Sequence, residues 1–203
     1  WETRDLHARA FDMTYAWSWQ DTVHKIAHGK ADVGALGIYH YTDENSWPQD
    51  AMRMLFTSNH DKNSWEGTQF DLYGDALENA IVLSFVSRGM PMIYNGQEAG
   101  NTKQLAFFDK DPIKWQKHSL ENLFHRLIKL KKDHSTLWNG RWGADMIQVP
   151  NSLASSIFSF VRVNKQDKVF AVFNFSDETQ SVTFPATCIQ VNTTIFRPVK
   201  RSF

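Results

Sequence analysis

Apolar residues change their period once along this chain of 203 residues, close to Gly140. On the amino-terminal side, short apolar runs alternate with stretches whose apolar positions recur every three or four residues. That is the pattern of βαβ units around a parallel sheet. Three runs read as strands: one near Ala10–Met13, a second over Ala51–Ser58, and a third over Met90–Asn95, preceded by Gly89 and opened by Pro91. Between the last two, a helix is expected over Asp75–Val86. Asp75 would cap it with Glu78 three residues on, Leu77, Ala80, Ile81, Ser84 and Phe85 share a face, and Gly89 would stop it.

The clearest helix spans Ser119–His134, with Ser119 as its cap and Glu121 at the positive end. Leu120, Leu123, Phe124, Leu127 and Ile128 form the buried stripe, and the run from Lys129 to Lys132 reads as a solvated face that complements the dipole. An earlier helix lies within Trp19–His28, ends at Gly29, and is followed by a weaker helical stretch to about Tyr39.

After Gly140 the period becomes two. Ile157, Ser159 and Val161 alternate with Phe158, Phe160 and Arg162, and Val169–Phe175 repeats the habit. Turn residues at Pro150-Asn151, Asn164–Asp167 and Ser176–Glu178 separate these runs, which reads as a small antiparallel sandwich. The domain boundary falls at 139/140, giving an α/β part over 1–139 and an all-β part over 140–203. A whole eight-unit βα barrel needs ~250 residues, or about 31 per unit. Three strands in the α/β part make either a small open domain or the later portion of a larger fold.

Composition narrows the function. Lys+Arg 22 against Asp+Glu 22 gives no net charge, which argues against nucleic acid or an anionic membrane surface as partner. With 42% hydrophobic and 14% aromatic residues the chain can bury a sizeable core. The longest apolar run, Ala80–Val86, is far shorter than a membrane span, so a soluble protein is expected, its compartment left open. The single cysteine, Cys188, cannot form an internal disulfide. The chain opens Trp1-Glu2-Thr3-Arg4, without Met or a leader pattern, so an upstream segment is expected.

The strand Ala51–Ser58 runs directly into Asn59-His60-Asp61. Ligands gather at the carboxyl ends of strands in parallel α/β folds, so three polar side chains released there form a candidate site. On spacing alone the alternative is a turn started by Asn59 and Asp61, with His60 satisfying a buried carbonyl. Adjacent residues of this kind do not make a metal motif. His7, His24, His28, His40, His118, His125 and His134 share no spacing with carboxylates and read as surface or satisfied core residues.

The wording of three stretches is more specific. Phe56-Thr57-Ser58-Asn59-His60-Asp61 resembles the F-x-x-N-H-D motif that ends the seventh barrel strand in the α-amylase superfamily of glycoside hydrolases. Gly89-Met90-Pro91-Met92-Ile93-Tyr94-Asn95-Gly96-Gln97-Glu98 resembles that family's eighth-strand pattern, and Phe11-Asp12-Met13-Thr14-Tyr15 its sixth-strand region. Phe108-Asp109-Lys110-Asp111-Pro112-Ile113, the following helix and a terminal β domain match as well. The resemblance implies the carboxyl-terminal portion, about strands six to eight, of a TIM (β/α)8 barrel followed by an all-β antiparallel sandwich.

It also implies roles. Asp61 would be the transition-state stabiliser of a retaining glycosidase acting on α-glucosidic bonds of starch-like glucans, raising the pKa of the acid by like-charge proximity. His60 would bind the same sugar. Asn59 would either join it or order the turn, and Trp65 would stack on a sugar or cover the loop base. Glu98 is mainly a structural hydrogen-bonder at this place in the family, while Asp109 and Asp111 either frame a loop or touch substrate. The nucleophile Asp would lie upstream, and so would the general acid Glu just before Trp1, with Glu2 as fallback. The chain alone is therefore expected to be inactive. No cofactor is implied within it; calcium ligands of the intact enzyme would lie upstream. The missing first half of the barrel, or a second copy of the chain, would cover the exposed strand edges. An α-glucan transferase or isomerase of the same superfamily, and a non-catalytic glucan-binding module, remain alternatives, because these motifs do not distinguish water from a sugar acceptor.

Overall fold

The computed structural model describes residues 4–48 and 50–185. Glu2, Trp1 and Cys188 lie outside them. Three short strands, β1 (Met13–Tyr15), β2 (Met52–Phe56) and β3 (Met90–Met92), form one parallel sheet in the order β1-β2-β3. Thr14 pairs with Arg53, and Leu55 with Pro91. Neighbours in sequence are neighbours in the sheet, as in a slice of a βα barrel; a doubly wound sheet would reverse its order. Pro91, which lacks an N–H, pairs with Leu55 in β3, the outer strand of this sheet among the described residues.

Each crossover is helical. After a first turn of helix, α1 (Arg4–Arg9), the chain passes through β1 to α2 (Trp17–Ala27) and α3 (Gly34–Ser46). It then passes from β2 through a π-helical turn (Lys62–Glu66), α4 (Gln69–Tyr73) and α5 (Leu77–Val86) to β3. The expected first strand thus moves from Ala10–Met13 to Met13–Tyr15, because residues up to Arg9 are helical. The second expected strand shortens to Met52–Phe56 and the third to Met90–Met92, and the weak helix after Gly29 extends to Ser46.

Asp75 does not cap a helix with Glu78. The capping box sits earlier: Thr68 Oγ1 accepts from the Asp71 amide, and Asp71 Oδ2 accepts from the Thr68 amide at 2.9 Å. The Thr68 hydroxyl, which donates to Asp71 Oδ2 at 2.7 Å, and then the Thr68 amide hold the Asp71 carboxyl below its ordinary pKa. Gly74, at φ +49°, then breaks α4 from a short 3-10 turn that leads into α5. Gly89 is not the residue that ends α5, which closes at Ser87; its φ of +140° instead turns the chain into β3.

The long helix α6 (Ser119–Asp133) is capped by His118 rather than Ser119, since His118 is extended and its Nδ1 accepts from the Leu120 amide at 3.3 Å. The lysine run at its end is not uniformly solvated. Lys131 Nζ donates to the carbonyls of Phe85, Gly89 and Leu137, which ties α6 to the end of α5 and the start of β3.

Three antiparallel strands follow: β4 (Met146–Gln148), β5 (Ile157–Val163) and β6 (Lys168–Asn174), in the order β4-β5-β6. This is the one antiparallel sheet among the described residues. β5 is central and buried on both faces over Ile157–Phe160. Phe158, Phe160 and Phe173 enter the same apolar cluster as Trp19 and Val23 of α2, Leu36 of α3, Leu55 of β2, Ile81 and Leu83 of α5 and Leu127 of α6. One core therefore runs through both sheets. Among the described residues no helix is long and apolar enough to cross a membrane.

Candidate active site at the carboxyl ends of the parallel strands

β2 buries Leu55 and Phe56, and the chain stays buried through Thr57, Ser58 and Asn59. It then rises. Asn59 Oδ1 accepts from the Lys62 amide at 2.8 Å and its carbonyl accepts from the Asn63 amide at 2.9 Å, which starts a helical turn. That turn lifts His60 and Asp61 to the surface, their side chains 54% and 41% exposed, with His60 Nε2 3.5 Å from Asp61 Oδ1. The run Asn59-His60-Asp61 is thus divided: Asn59 is 1% exposed and organises the turn, and the next two residues face outward.

The wider π-helical turn that follows sends Asn63 inward and Trp65 outward, 63% exposed. Lys62 pairs with Glu66 at 2.7 Å and lies 5.8 Å from the centre of the Trp17 ring. Trp17 meets Phe56 edge to face at 5.1 Å, so the start of α2, the end of β2 and the turn form one rim.

The end of β3 is tied to the same rim by glutamines. Gln97 Nε2 donates to Thr57 Oγ1 at 2.9 Å and to Gln69 Oε1 at 3.0 Å, while its Oε1 accepts from the Tyr94 amide at 2.8 Å. Gln69 Nε2 donates back to the Gln97 carbonyl at 3.1 Å. Glu98 accepts from the Gly96 amide at 3.0 Å, a hydrogen bond within its own turn. Asp111 frames its loop: it pairs with Lys103, its Oδ2 accepts from the Ala106 amide at 2.9 Å, and these bonds lower its pKa.

Sequence patterns singled out His60, Asp61 and Trp65, and the fold brings these to one edge. The patterns passed over Gln97 and Gln69, which link the ends of β2 and β3, and the buried Asn63, which accepts from the Leu105 amide. An interior amide side chain has no periodic signature, and its partner lies far along the chain, 28 residues away for Gln69 and Gln97. One histidine does meet a carboxylate, from 33 positions away: His134 Nδ1 lies 3.0 Å from Asp167 Oδ1. Chemically, the rim offers a half-exposed carboxylate and an imidazole beside exposed aromatic rings, a set that suits hydroxyl groups and apolar ring faces together. Among the described residues no group of three or more His, Cys, Asp or Glu side chains is arranged to hold a metal ion.

No family model matches the sequence. The α-amylase MalA of Haloarcula japonica is 24% identical over 188 residues, 90% of this chain and 27% of that protein. Alpha-amylase 2 of Dictyoglomus thermophilum is 24% identical over 151 residues, 68% of this chain and 25% of that protein. Among solved structures, the maltogenic α-amylase AmyB of Thermotoga neapolitana superposes with a TM-score of 0.78 at 21% identity, covering 92% of this chain and 44% of that one. The chain thus spans about a quarter of the length of the curated relatives it matches. The sequence similarity to α-amylases runs along most of the chain and falls on the carboxyl-terminal part of those proteins, and the fold is shared with a solved α-amylase.

Proposed function

We propose that this chain is the carboxyl-terminal part of a retaining glycoside hydrolase that cleaves α-glucosidic bonds in starch-like glucans. β1, β2 and β3 serve as the sixth, seventh and eighth barrel strands, and the antiparallel sheet belongs to the terminal β domain. The observation that carries this is the placement of His60 and Asp61: they emerge together at the carboxyl end of β2, in the middle of a singly wound parallel sheet.

In such a reaction an acid protonates the leaving oxygen while a nucleophile attacks the opposite face of the sugar, through a transition state with positive charge on the ring. Asp61 accepts hydrogen bonds from ring hydroxyls and stabilises that developing charge, and His60 binds the same sugar. The nucleophile and the acid come from the barrel units that precede β1. The chain on its own lacks that pair and does not turn over.

The edges of β1 and β3 are completed by those preceding units or by another copy of the chain. Supplying the upstream half of a relative's barrel as a separate polypeptide and assaying maltooligosaccharide hydrolysis tests this arrangement; activity in the mixture and none in either part supports it. In the assembled enzyme Asp61→Asn should lower kcat on the order of 10²–10³-fold. Unchanged turnover in that variant removes the assigned role.

A further inference from the structure

Helix α2 ends on two histidines four positions apart. His24 stands in its last turn, and His28 closes it, with its backbone N–H donating to the His24 carbonyl at 3.2 Å. Residues at this spacing share one face of a helix, and here the two rings meet, their centres 4.7 Å apart and their planes at 85°. His28 Nε2 lies 3.1 Å from the Leu72 carbonyl of α4. A carbonyl only accepts, so that nitrogen carries the proton, and the neutral ring keeps its lone pair on Nδ1. Histidines that ligate a metal are held in this way, the far nitrogen donating to a carbonyl or carboxylate.

His24 is half-buried against Tyr73, their rings edge to face at 6.2 Å, and the Tyr73 hydroxyl is itself fixed by Gln20 Nε2 at 3.1 Å. Neither ring nitrogen of His24 has a hydrogen-bond partner among the described residues. Burial, then His28 and Lys62, lower its pKa, so the ring is neutral at neutral pH, the form a metal ion requires. With metal–nitrogen bonds of about 2.0–2.1 Å, two imidazoles on one ion have their centres roughly 5 Å apart, close to the separation of these two. The carboxyl end of a helix carries partial negative charge and favours a cation. Glu66 acts on His24 in the same sense, against Lys62 and Lys30.

We propose that His24 and His28 chelate one divalent transition-metal ion of the zinc type, with water completing its coordination and with the His28 arm braced on α4 through Leu72. Two imidazoles make the site, so it needs no cluster of three side chains. Imidazole nitrogen suits zinc, nickel and copper, whereas calcium and magnesium take oxygen ligands, so the site discriminates between the two classes of ion. A bound ion fixes both rings at once and thereby stabilises the junction of α2 with α4. The inference stands apart from the role given to His60 and Asp61.

The test is calorimetric titration of the 203-residue chain with zinc chloride, and separately with calcium chloride, at neutral pH in a buffer that does not bind metal, with circular dichroism as a check on folding. One zinc ion per chain should bind, calcium should not, and the imidazole NMR signals of His24 and His28 should shift together. His24→Phe keeps the ring contacts with His28 and Tyr73 but removes the ligand nitrogen. His28→Gln keeps a side-chain amide donor for the Leu72 carbonyl but removes Nδ1. Each should weaken zinc by at least about tenfold and abolish the zinc-induced rise in melting temperature, whereas His125→Ala, on the exposed face of α6, should do neither. Zinc binding that survives unchanged in the variant carrying both His24→Phe and His28→Gln would place the ion elsewhere and overturn the proposal. So would an unaltered chain that binds no zinc, or that binds calcium as tightly.

Discussion

Arg162 Nη1 donates to the carbonyl of Ser87 at 2.9 Å, joining the centre of the antiparallel sheet to the end of α5. The same guanidinium donates to Val86, Ala144 and Trp138 carbonyls, and only 1% of the residue is exposed. The last carbonyls of a helix have no partner within it and carry its negative end, so a buried cation there both satisfies and neutralises them. Burial, and then Arg88, lower the Arg162 pKa to about 10, against the attraction of Asp145; the group remains charged at neutral pH.

Replacing Arg162 with leucine should therefore cost about 3 kcal/mol or more, because it leaves several buried carbonyls unpaired. Arg162→Lys should not restore the loss, as one ammonium cannot span carbonyls that a planar fork reaches together. Urea unfolding midpoints measure both. A change below about 1 kcal/mol for the leucine variant would show the contacts to be dispensable.

Gly89→Ala tests the turn into β3. At φ +140° an added Cβ would lie 2.7 Å from the Arg53 carbonyl and 2.8 Å from Leu55 Cγ, both in the neighbouring strand. Backbone strain and overpacking each cost about 1–3 kcal/mol, so a fall in melting temperature of several degrees is expected. An unchanged Tm would mean that β3 can shift without penalty.

His40 makes stability depend on acid. It is buried against Phe158, their rings 6.2 Å apart and nearly parallel, and its pKa is lowered to about 3 by burial, then by Arg162 and Arg88. The unfolded chain takes up this proton near pH 6.5, whereas the folded chain does so only near pH 3. A depressed folded-state pKa gives stability that is present above the unfolded value and is lost as pH falls toward the folded one. From pH 7 to pH 5 this group should remove about 2 kcal/mol. Unfolding free energies of the chain and of His40→Phe at the two pH values should differ in slope by that amount; equal slopes would show that His40 is not the group responsible.

Gln97→Leu removes the link between the ends of β2 and β3. It leaves the Tyr94 amide without its side-chain acceptor and takes from Thr57 and Gln69 a buried donor, a loss expected to be about 2–3 kcal/mol. Amide hydrogen exchange should show faster opening around Tyr94, while β5 and β6 keep their protection. Uniform acceleration across the chain would instead indicate a global effect.

Local chemistry explains which features were legible before folding. The stripe of Leu120, Leu123, Phe124 and Leu127 is buried in α6 as its spacing requires, and the apolar run before Asn59 forms β2. The exit from β2 was legible for the same reason, since an apolar strand followed by three polar residues must surface. Boundaries moved where a competing local signal won: the capping box of Thr68 and Asp71 overrode Asp75, and the His118 imidazole overrode Ser119.

The amino-acid sequence by itself determined the two kinds of sheet, the helix faces and the arrival of polar residues at the end of β2, because burial period and turn chemistry act within a few neighbouring positions. Tertiary structure alone decided that Asn59 turns inward while Asp61 turns out, that Arg162 closes α5, and that Asn63 fastens the segment after β3 through Lys103 and Leu105. Each of these depends on a polar group finding a partner from another part of the chain, such as the 75 positions between Arg162 and Ser87. A buried donor or acceptor must be satisfied, but nothing in its neighbourhood along the chain specifies by whom.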